Sequence, residues 1–176
     1  MAKHPRTPRE RALEAAEGYV MLEMPRHALR TLAGIADDGE DRFELHKLRG
    51  EALRLEEEYE AALVAFDKAL SESSDDVSVL LGMAWCYKRT DQLHRAIDMM
   101  ERAYQAAPQE SIVLYNLACY FALDGNKASA LSWLGRALRM QRSLRKLIPD
   151  ETDFDGLRSD PDFQFIVGIR KVSDVP

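Results

Sequence analysis

The sequence is poor in the residues on which several classes of protein depend. It has only two cysteines in 176 residues, too few for the disulfide framework of a small secreted protein. Its longest run without a charged side chain is residues 111–123, well short of the roughly 18–20 apolar residues of a membrane-spanning helix. We therefore predict no membrane span, and we interpret Cys86 and Cys119 as reduced thiols that pack inside the protein.

Sequence signatures of an active site are also scarce. There is no glycine-rich phosphate-binding loop, and the Gly125-Asn126 pair is typical of a turn between helices. The four histidines are scattered, and none lies at a metal-ligand spacing from a cysteine or a carboxylate. Glu17 and Glu51 are a candidate catalytic pair, but partly solvated surface glutamates are the better interpretation. We predict no enzyme activity, no metal and no cofactor.

The chain is acidic overall, with a net charge of -6, but the charge is uneven. Residues 43–76 carry 10 acidic and 4 basic side chains, whereas residues 111–144 carry 1 acidic and 4 basic. The basic run from Arg136 to Lys146 contains no aromatic residue, which argues against nucleic acid as a partner. The basic amino terminus is not followed by an apolar core, so we predict no secretory signal and a cytoplasmic location.

A unit of 34 residues repeats along the chain. Residues 76–108 show the pattern best, with two amphipathic segments separated by the polar turn Thr90-Asp91-Gln92. Helix axes that cross about 8–10 Å apart leave room only for Ala or Gly at the crossing, with bulky residues on either side. Shifting the chain by the period aligns five such columns: Ala16, Gly50, Ala84, Ala118; Tyr19, Leu53, Tyr87, Phe121; Ala28, Ala62, Ala96, Ala130; Leu32, Phe66, Met100, Leu134; Ile35, Ala69, Ala103, Ala137.

This period and pattern resemble the tetratricopeptide repeat. The resemblance covers residues 9–144 as four units, 9–42, 43–76, 77–110 and 111–144. It implies an all-α fold, a right-handed superhelical solenoid of antiparallel helix pairs. Residues 1–8 are predicted to be a flexible tail that ends in a helix start, with Thr7 as the cap and Pro8 in the first turn. His46 and Arg49 stand where the second unit should be apolar, which predicts a loose first helix there.

A capping segment is predicted after the repeats, at residues 145–176. Residues such as Phe154 and Phe163 are too apolar for a free tail, and Asp160-Pro161 is typical of a helix start. A stack of repeats needs a terminal element over its last apolar face. The string from Asp153 to Phe163 also resembles a fold-back lid found after bacterial repeats of this family. Two alternatives stay open: the segment covers the end of the stack, or it fills the groove.

The resemblance implies that the first helix of each repeat lines a concave groove. We predict a non-catalytic scaffold that holds a partner protein or peptide in this groove, with aromatic rings for burial and basic residues for an acidic group. The candidate residues are those of the first helices that packing does not require. They are Lys47, Glu51, Arg54, Leu81, Trp85, Lys88, Arg89, Tyr115, Asn116 and Cys119.

Two alternatives to this function stay open. Copies of the chain could pair into a homo-oligomer through second-helix residues such as Tyr104 and Trp133, although we favour cover of Trp133 by the C-terminal segment. The chain also resembles small, acidic repeat proteins that escort bacterial secretion substrates. A clamp for the carboxylate end of chaperone tails is discounted, because Glu17 and Glu51 stand where that family's clamp needs neutral donors.

Overall fold

The computed structural model describes residues 6–168, and in this range the chain forms helices and turns with no strand. Three 3-10 turns, Arg142–Lys146, Ile148–Asp150 and Thr152–Leu157, precede the last α-helix, and we call residues 142–166 the C-terminal segment. The predicted all-α class of antiparallel helix pairs is confirmed. The α-helices are α1 Pro8–Met21, α2 Pro25–Ala33, α3 Arg42–Leu55, α4 Tyr59–Glu72, α5 Val77–Arg89, α6 Leu93–Ala106, α7 Ser111–Leu123, α8 Lys127–Met140 and α9 Pro161–Ile166.

Capping residues start the first and last α-helices as the sequence predicts. Thr7 accepts a hydrogen bond from the Glu10 amide at 3.1 Å, and the Glu10 carboxylate accepts one from the Thr7 amide at 2.7 Å. Asp160 accepts a bond from the Phe163 amide at 3.1 Å and so caps α9. Such bonds satisfy amides that have no partner within the helix. The predicted tail, residues 1–8, falls mostly outside the described residues, and Pro8 already belongs to α1.

Contacts divide the chain into two compact units, residues 1–92 and 93–176. The boundary falls between the two helices of the third predicted repeat. In the first unit each helix packs against the next one along the chain, and α3 also contacts α1 and α5. Within this unit the first helices of the repeats, α1, α3 and α5, therefore lie side by side in one layer, which we call the first-helix layer. In the second unit α7 contacts α6, α8 and Thr152–Leu157, while α8 contacts Arg142–Lys146 and α9.

The aligned columns of the repeat form the cores of both units. All four alanines of the second-helix column are fully buried, which is what close helix crossing requires. The bulky residues one turn later are buried to the same extent, so small and large side chains alternate along the packed face. The fully buried members of these two columns are Ala28, Ala62, Ala96, Ala130, Leu32, Phe66, Met100 and Leu134.

The prediction of a loose first helix in the second repeat is wrong, because α3 is a regular helix. His46 is fully buried in it, and its Nε2 atom lies 2.8 Å from Oδ1 of Asp37. Arg49 donates a hydrogen bond to the Leu32 carbonyl at 3.4 Å. Burial lowers the pKa of His46, whereas burial would raise the pKa of Asp37 but is outweighed by attraction to His46 and Lys68. Partners from the preceding segment thus accommodate the polar residues of α3.

The turn inside each repeat contains one residue with a left-handed backbone. Glu23, Glu57, Asp91 and Gly125 have φ of 53°, 63°, 57° and 74°, and they occupy the same position of the 34-residue period. Only the last of them is a glycine, the residue that adopts this conformation without a Cβ clash. The first three turns therefore hold a strained residue in place.

We expect Glu57→Gly to raise the free energy of unfolding by up to ~1 kcal/mol, because it removes that clash. Glu57→Val should lower it by about 1–2 kcal/mol, since a β-branched residue tolerates a positive φ poorly. Urea denaturation measures both variants, with Glu58→Val, at a residue of φ -84°, as the matched control. If valine is no worse at Glu57 than at Glu58, the left-handed turn does not constrain the residue type.

Candidate functional site

Seven of the ten predicted binding residues lie on α3 and α5 of the first unit. Residues three, four and seven apart share one face of a helix, so these residues form one row on each helix. The two helices are in contact, and Oε1 of Glu51 on α3 lies 3.0 Å from the position that a Cβ would take at Gly82 on α5. The rows are therefore neighbours. We call them the α3–α5 face, made of Lys47, Glu51, Arg54, Leu81, Trp85 and Lys88.

Trp85 is the large apolar side chain on the α3–α5 face. Its side chain is 43% exposed, although tryptophan is highly buried on average. Nζ of Lys88, one turn later on α5, lies 5.5 Å from the centroid of the indole ring, within reach of a cation–π interaction. The ring is thus oriented by its own helix and remains accessible to an apolar group from another molecule.

The charged residues of α3 on this face have partners within the first unit. Nη2 of Arg54 lies 2.7 Å from Oε2 of Glu51, one turn earlier on the same helix. Nζ of Lys47 lies 4.0 Å from Oδ1 of Asp76, which also caps α5 by accepting a bond from the amide of Val79. Both pairs are only partly buried, so each adds little to stability. They leave the face around Trp85 close to electrically balanced.

Arg89, the seventh residue, connects α5 to α4. Its Nε atom donates a hydrogen bond to the hydroxyl oxygen of Tyr59 at 3.3 Å, and its guanidinium carbon lies 5.8 Å from the Tyr59 ring centroid. The bond to Tyr59 is the main reason that the pKa of Arg89 is raised. Arg89 is therefore engaged within the unit, and Lys88 is the basic residue next to Trp85.

An acidic cleft of about 430 Å³ lies on the helices α1 and α3 of the same unit. Burial raises the pKa of Glu44 in this cleft. Arg6 pairs with Glu14 and Glu10 caps α1, but four carboxylates still outnumber one guanidinium and favour a basic ligand group there. The cleft was not predicted, although the spacing of Glu10, Glu14 and Glu17 places three of its carboxylates on one side of α1. Its lining residues are Arg6, Glu10, Leu13, Glu14, Glu17 and Glu44.

The second unit corrects the prediction for two residues of α7. Tyr115 and Cys119 are each only 2% exposed, so neither lines an open surface. The ring of Phe154, in the C-terminal segment, meets the ring of Tyr115 edge to face with centroids 5.8 Å apart, and burial raises the pKa of Tyr115. The C-terminal segment covers this side of α7 because both carry apolar residues that gain from leaving water. Asn116, the tenth predicted residue, is partly exposed.

Aromatic residues on the second helices of this unit also contact each other. The rings of Tyr104 and Trp133 are 4.8 Å apart and nearly perpendicular. The guanidinium of Arg136 lies 4.3 Å from the Trp133 ring centroid and donates a hydrogen bond to the Tyr104 hydroxyl at 2.6 Å. Tyr104 and Arg136 therefore cover part of Trp133 from within the unit.

Residues 6–168 contain one group of side chains able to hold a metal ion: Cys119, Glu151 and Asp153. Their ligand atoms all lie within 4.8 Å of one another. This group was not predicted from the sequence, because it contains no histidine and the candidate ligand spacings were those of the histidines. The partners also come from segments more than 30 residues apart, which only the folded chain brings together. In the same range, no helix is long and apolar enough to cross a membrane.

The fold is that of a helical repeat protein of the tetratricopeptide type. Its helices are paired with a constant period, small residues lie where the helices cross, and first helices of successive repeats adjoin. A sequence model of the tetratricopeptide repeat family matches residues 53–101, from the end of α3 into α6. The resemblance seen in the sequence is confirmed over these residues. No curated protein sequence is significantly similar to this chain.

Solved structures of tetratricopeptide proteins share the fold. A structure of MamA superposes with a TM-score of 0.71 at 17% identity, covering 79% of this chain and 81% of MamA. A structure of MamA from Desulfovibrio magneticus RS-1, residue 41 to the end, superposes with a TM-score of 0.68 at 18% identity. The match covers 93% of this chain and 96% of that one. YrrB, described as a TPR protein with an unusual peptide-binding site, superposes with a TM-score of 0.64 at 21% identity. The match covers 77% of this chain and 70% of YrrB. At these identities the likeness concerns the fold alone.

Proposed function

We propose that the chain is a non-catalytic scaffold that binds a partner protein through the first-helix layer of its first unit. Trp85 carries the proposal, because a tryptophan that is 43% exposed beside a lysine has the composition of a binding hot spot. The fold shared with YrrB, which has a peptide-binding site, supports a peptide segment as the ligand.

The chemistry of the layer describes the segment it would take. The acidic cleft on α1 and α3 favours a lysine or arginine, and the accessible ring of Trp85 favours an apolar side chain. Lys88 places a positive charge beside the ring. A partner segment with a basic residue and an apolar anchor therefore complements this surface.

This surface suits binding better than catalysis. Glu51, the candidate carboxylate on it, is paired with Arg54 at 2.7 Å rather than facing a second acid. A cytoplasmic location belongs to the same proposal, since Cys86 and Cys119 are both buried thiols outside any disulfide, as thiols commonly are in a reducing compartment.

Trp85→Ala is expected to weaken partner binding about 30-fold, the loss of ~2 kcal/mol typical of a hot-spot side chain. The measurement is quantitative affinity capture from the source lysate, followed by titration of the captured protein. Val64→Ala is the matched control, because Val64 on α4 is 61% exposed but lies outside the first-helix layer. Circular dichroism verifies that both variants fold. Equal capture by the parent and by Trp85→Ala would exclude the α3–α5 face as the binding surface.

Charge reversal in the acidic cleft provides a second test of the proposal. The double variant Glu14→Lys, Glu17→Lys should bind the same partner more weakly. High salt should reduce the difference in affinity between the parent and this variant. Self-association is the competing use of this surface, and light scattering distinguishes it. A mass that rises with concentration, and stops rising in Trp85→Ala, would identify the partner as a second copy of the chain.

A further inference from the structure

The group Cys119, Glu151 and Asp153 lies where α7 meets the C-terminal segment. Cys119 is 2% exposed and Asp153 is 7% exposed, while Glu151 is partly exposed. One sulfur and two carboxylates, with ligand atoms within 4.8 Å, thus meet in a largely buried place. Buried acidic groups normally need compensation by a cation or by hydrogen bonds. This environment alone does not identify a ligand.

The hydroxyl group of Tyr115 is a second observation that indicates a ligand at this place. It is buried and accepts or donates no hydrogen bond among residues 6–168, and a buried polar atom without a partner costs about 1–3 kcal/mol. Tyr115 lies one turn before Cys119 on the same face of α7. The charged groups that act on its hydroxyl are Cys119, Glu151 and Asp153, together with Arg158. A buried hydroxyl without a hydrogen bond therefore lies near the three candidate ligands.

We propose that Cys119, Glu151 and Asp153 bind a divalent transition metal ion of the zinc class, with the Tyr115 hydroxyl hydrogen-bonded to a water on the ion. Sulfur together with carboxylate oxygen is a donor set for zinc, whereas magnesium and calcium bind oxygen alone. Three protein ligands leave the fourth tetrahedral position to water.

The charges and distances agree with this ion. A thiolate and two carboxylates supply three negative charges, of which a divalent ion neutralises two. The guanidinium of Arg158, which also pairs with Asp155 at 2.7 Å, adds positive charge nearby. Arg158 is held at this place by a 3.0 Å hydrogen bond from its Nη2 to the carbonyl of Glu151. Ligand atoms around zinc lie about 3.5 Å apart, so the group must contract. Glu151, the partly exposed member, can do so by rotating its side chain, which exchanges its 3.3 Å hydrogen bond from the Asp153 amide for the metal.

Binding is an exchange of a proton for the metal, with no change of oxidation state. The S–H bond of Cys119 breaks, a sulfur–metal bond forms, and the proton passes to the buffer. The affinity should therefore rise with pH until the thiol is fully ionised. Because the ligands come from α7 and from the C-terminal segment, the ion would fasten that segment to α7 and stabilise the fold.

Cobalt is the probe, because a cobalt–thiolate bond gives a charge-transfer absorption band that oxygen ligands do not give. Titration of the full chain with Co²⁺ under reducing conditions should produce this band with one ion per chain, and Zn²⁺ should remove it. Cys86→Ala is the matched control: Cys86 is fully buried in the first unit, where burial raises its pKa to about 12. The band should persist in Cys86→Ala and vanish in Cys119→Ala.

Glu151→Gln serves as a milder variant, since its side chain is partly exposed, and it should weaken Co²⁺ binding at least about tenfold. Zn²⁺ should raise the melting temperature of the parent and of Cys86→Ala but leave that of Glu151→Gln nearly unchanged. A parent chain without the band, or a band that survives in folded Cys119→Ala, would overturn the proposal.

Discussion

Gly82→Ala is expected to lower the free energy of unfolding by about 1–3 kcal/mol, or more, the range for overpacked cores. A Cβ at Gly82 would lie 2.6 Å from Cζ of Phe66, and a Cβ at Gly50 would lie 2.5 Å from Cδ1 of the same ring. Phe66, fully buried on α4, thus fits between two glycines on the neighbouring helices α3 and α5. A single added methyl group forces the ring or a helix backbone to move.

Urea denaturation followed by circular dichroism measures this loss. Gly18→Ala is the matched control, because Gly18 lies inside α1 and a Cβ there would meet no atom within 4 Å. It should stabilise the chain by up to about 1 kcal/mol, through the higher helix propensity of alanine. The same substitution therefore has opposite signs at the two positions. Similar effects at both would mean that Phe66 does not occupy the space between the glycines.

A double-mutant cycle identifies the cause. Phe66→Leu removes the ring, so in its presence Gly82→Ala should cost less than in the parent, by a coupling energy of about 0.5–3 kcal/mol. Purely additive losses would place the clash elsewhere on α5.

Phe154→Ala should cost about 3–5 kcal/mol, the usual loss for a buried phenylalanine. Phe154 is fully buried, and its ring centroid lies 5.8 Å from that of Tyr115 and 5.5 Å from that of Phe163. Its removal leaves a cavity between α7 and the C-terminal segment. Denaturation of the full chain measures the loss, and limited proteolysis should show new cleavage within residues 142–166.

The control for this prediction lies in the same segment. Phe165 on α9 is 50% exposed, so Phe165→Ala should change the free energy of unfolding by no more than about 0.5 kcal/mol. If Phe154→Ala is as stable and as protease-resistant as Phe165→Ala, the C-terminal segment does not depend on packing against Tyr115.

Much of the fold could be predicted because the signals are local and periodic. Alanines such as Ala62 and Ala96 recur at one position of each repeat, and helix crossing requires a small residue there wherever the fold recurs. Thr7 and Asp160 cap helices through amides two or three residues away, so a few neighbouring letters suffice. The space that Phe66 occupies could be predicted only in part from the sequence, because Gly50 belongs to one of the aligned columns and Gly82 does not.

The candidate site was harder to predict, because exposure depends on distant segments. The periodicity of α7 placed Tyr115 and Cys119 on the groove side of the helix, but 39 residues further on Phe154 packs against Tyr115 and buries it. His46 was misjudged for a related reason: Asp37, outside α3, lies next to its ring. Trp85 is 43% exposed, and this exposure could be read only from the structure.

The sequence by itself determined that this protein is built of paired helices with a 34-residue period, where the helices start, and which small residues meet at their crossings. These properties follow from hydrogen bonds and side-chain spacings within a few turns. The tertiary structure alone decided that the C-terminal segment packs on α7, that Cys119, Glu151 and Asp153 converge, and that Phe66 lies between two glycines. Each of these features depends on which groups, distant in the chain, come into contact. Hydrophobic burial is non-directional, so a sequence pattern does not specify which of many apolar groups will meet.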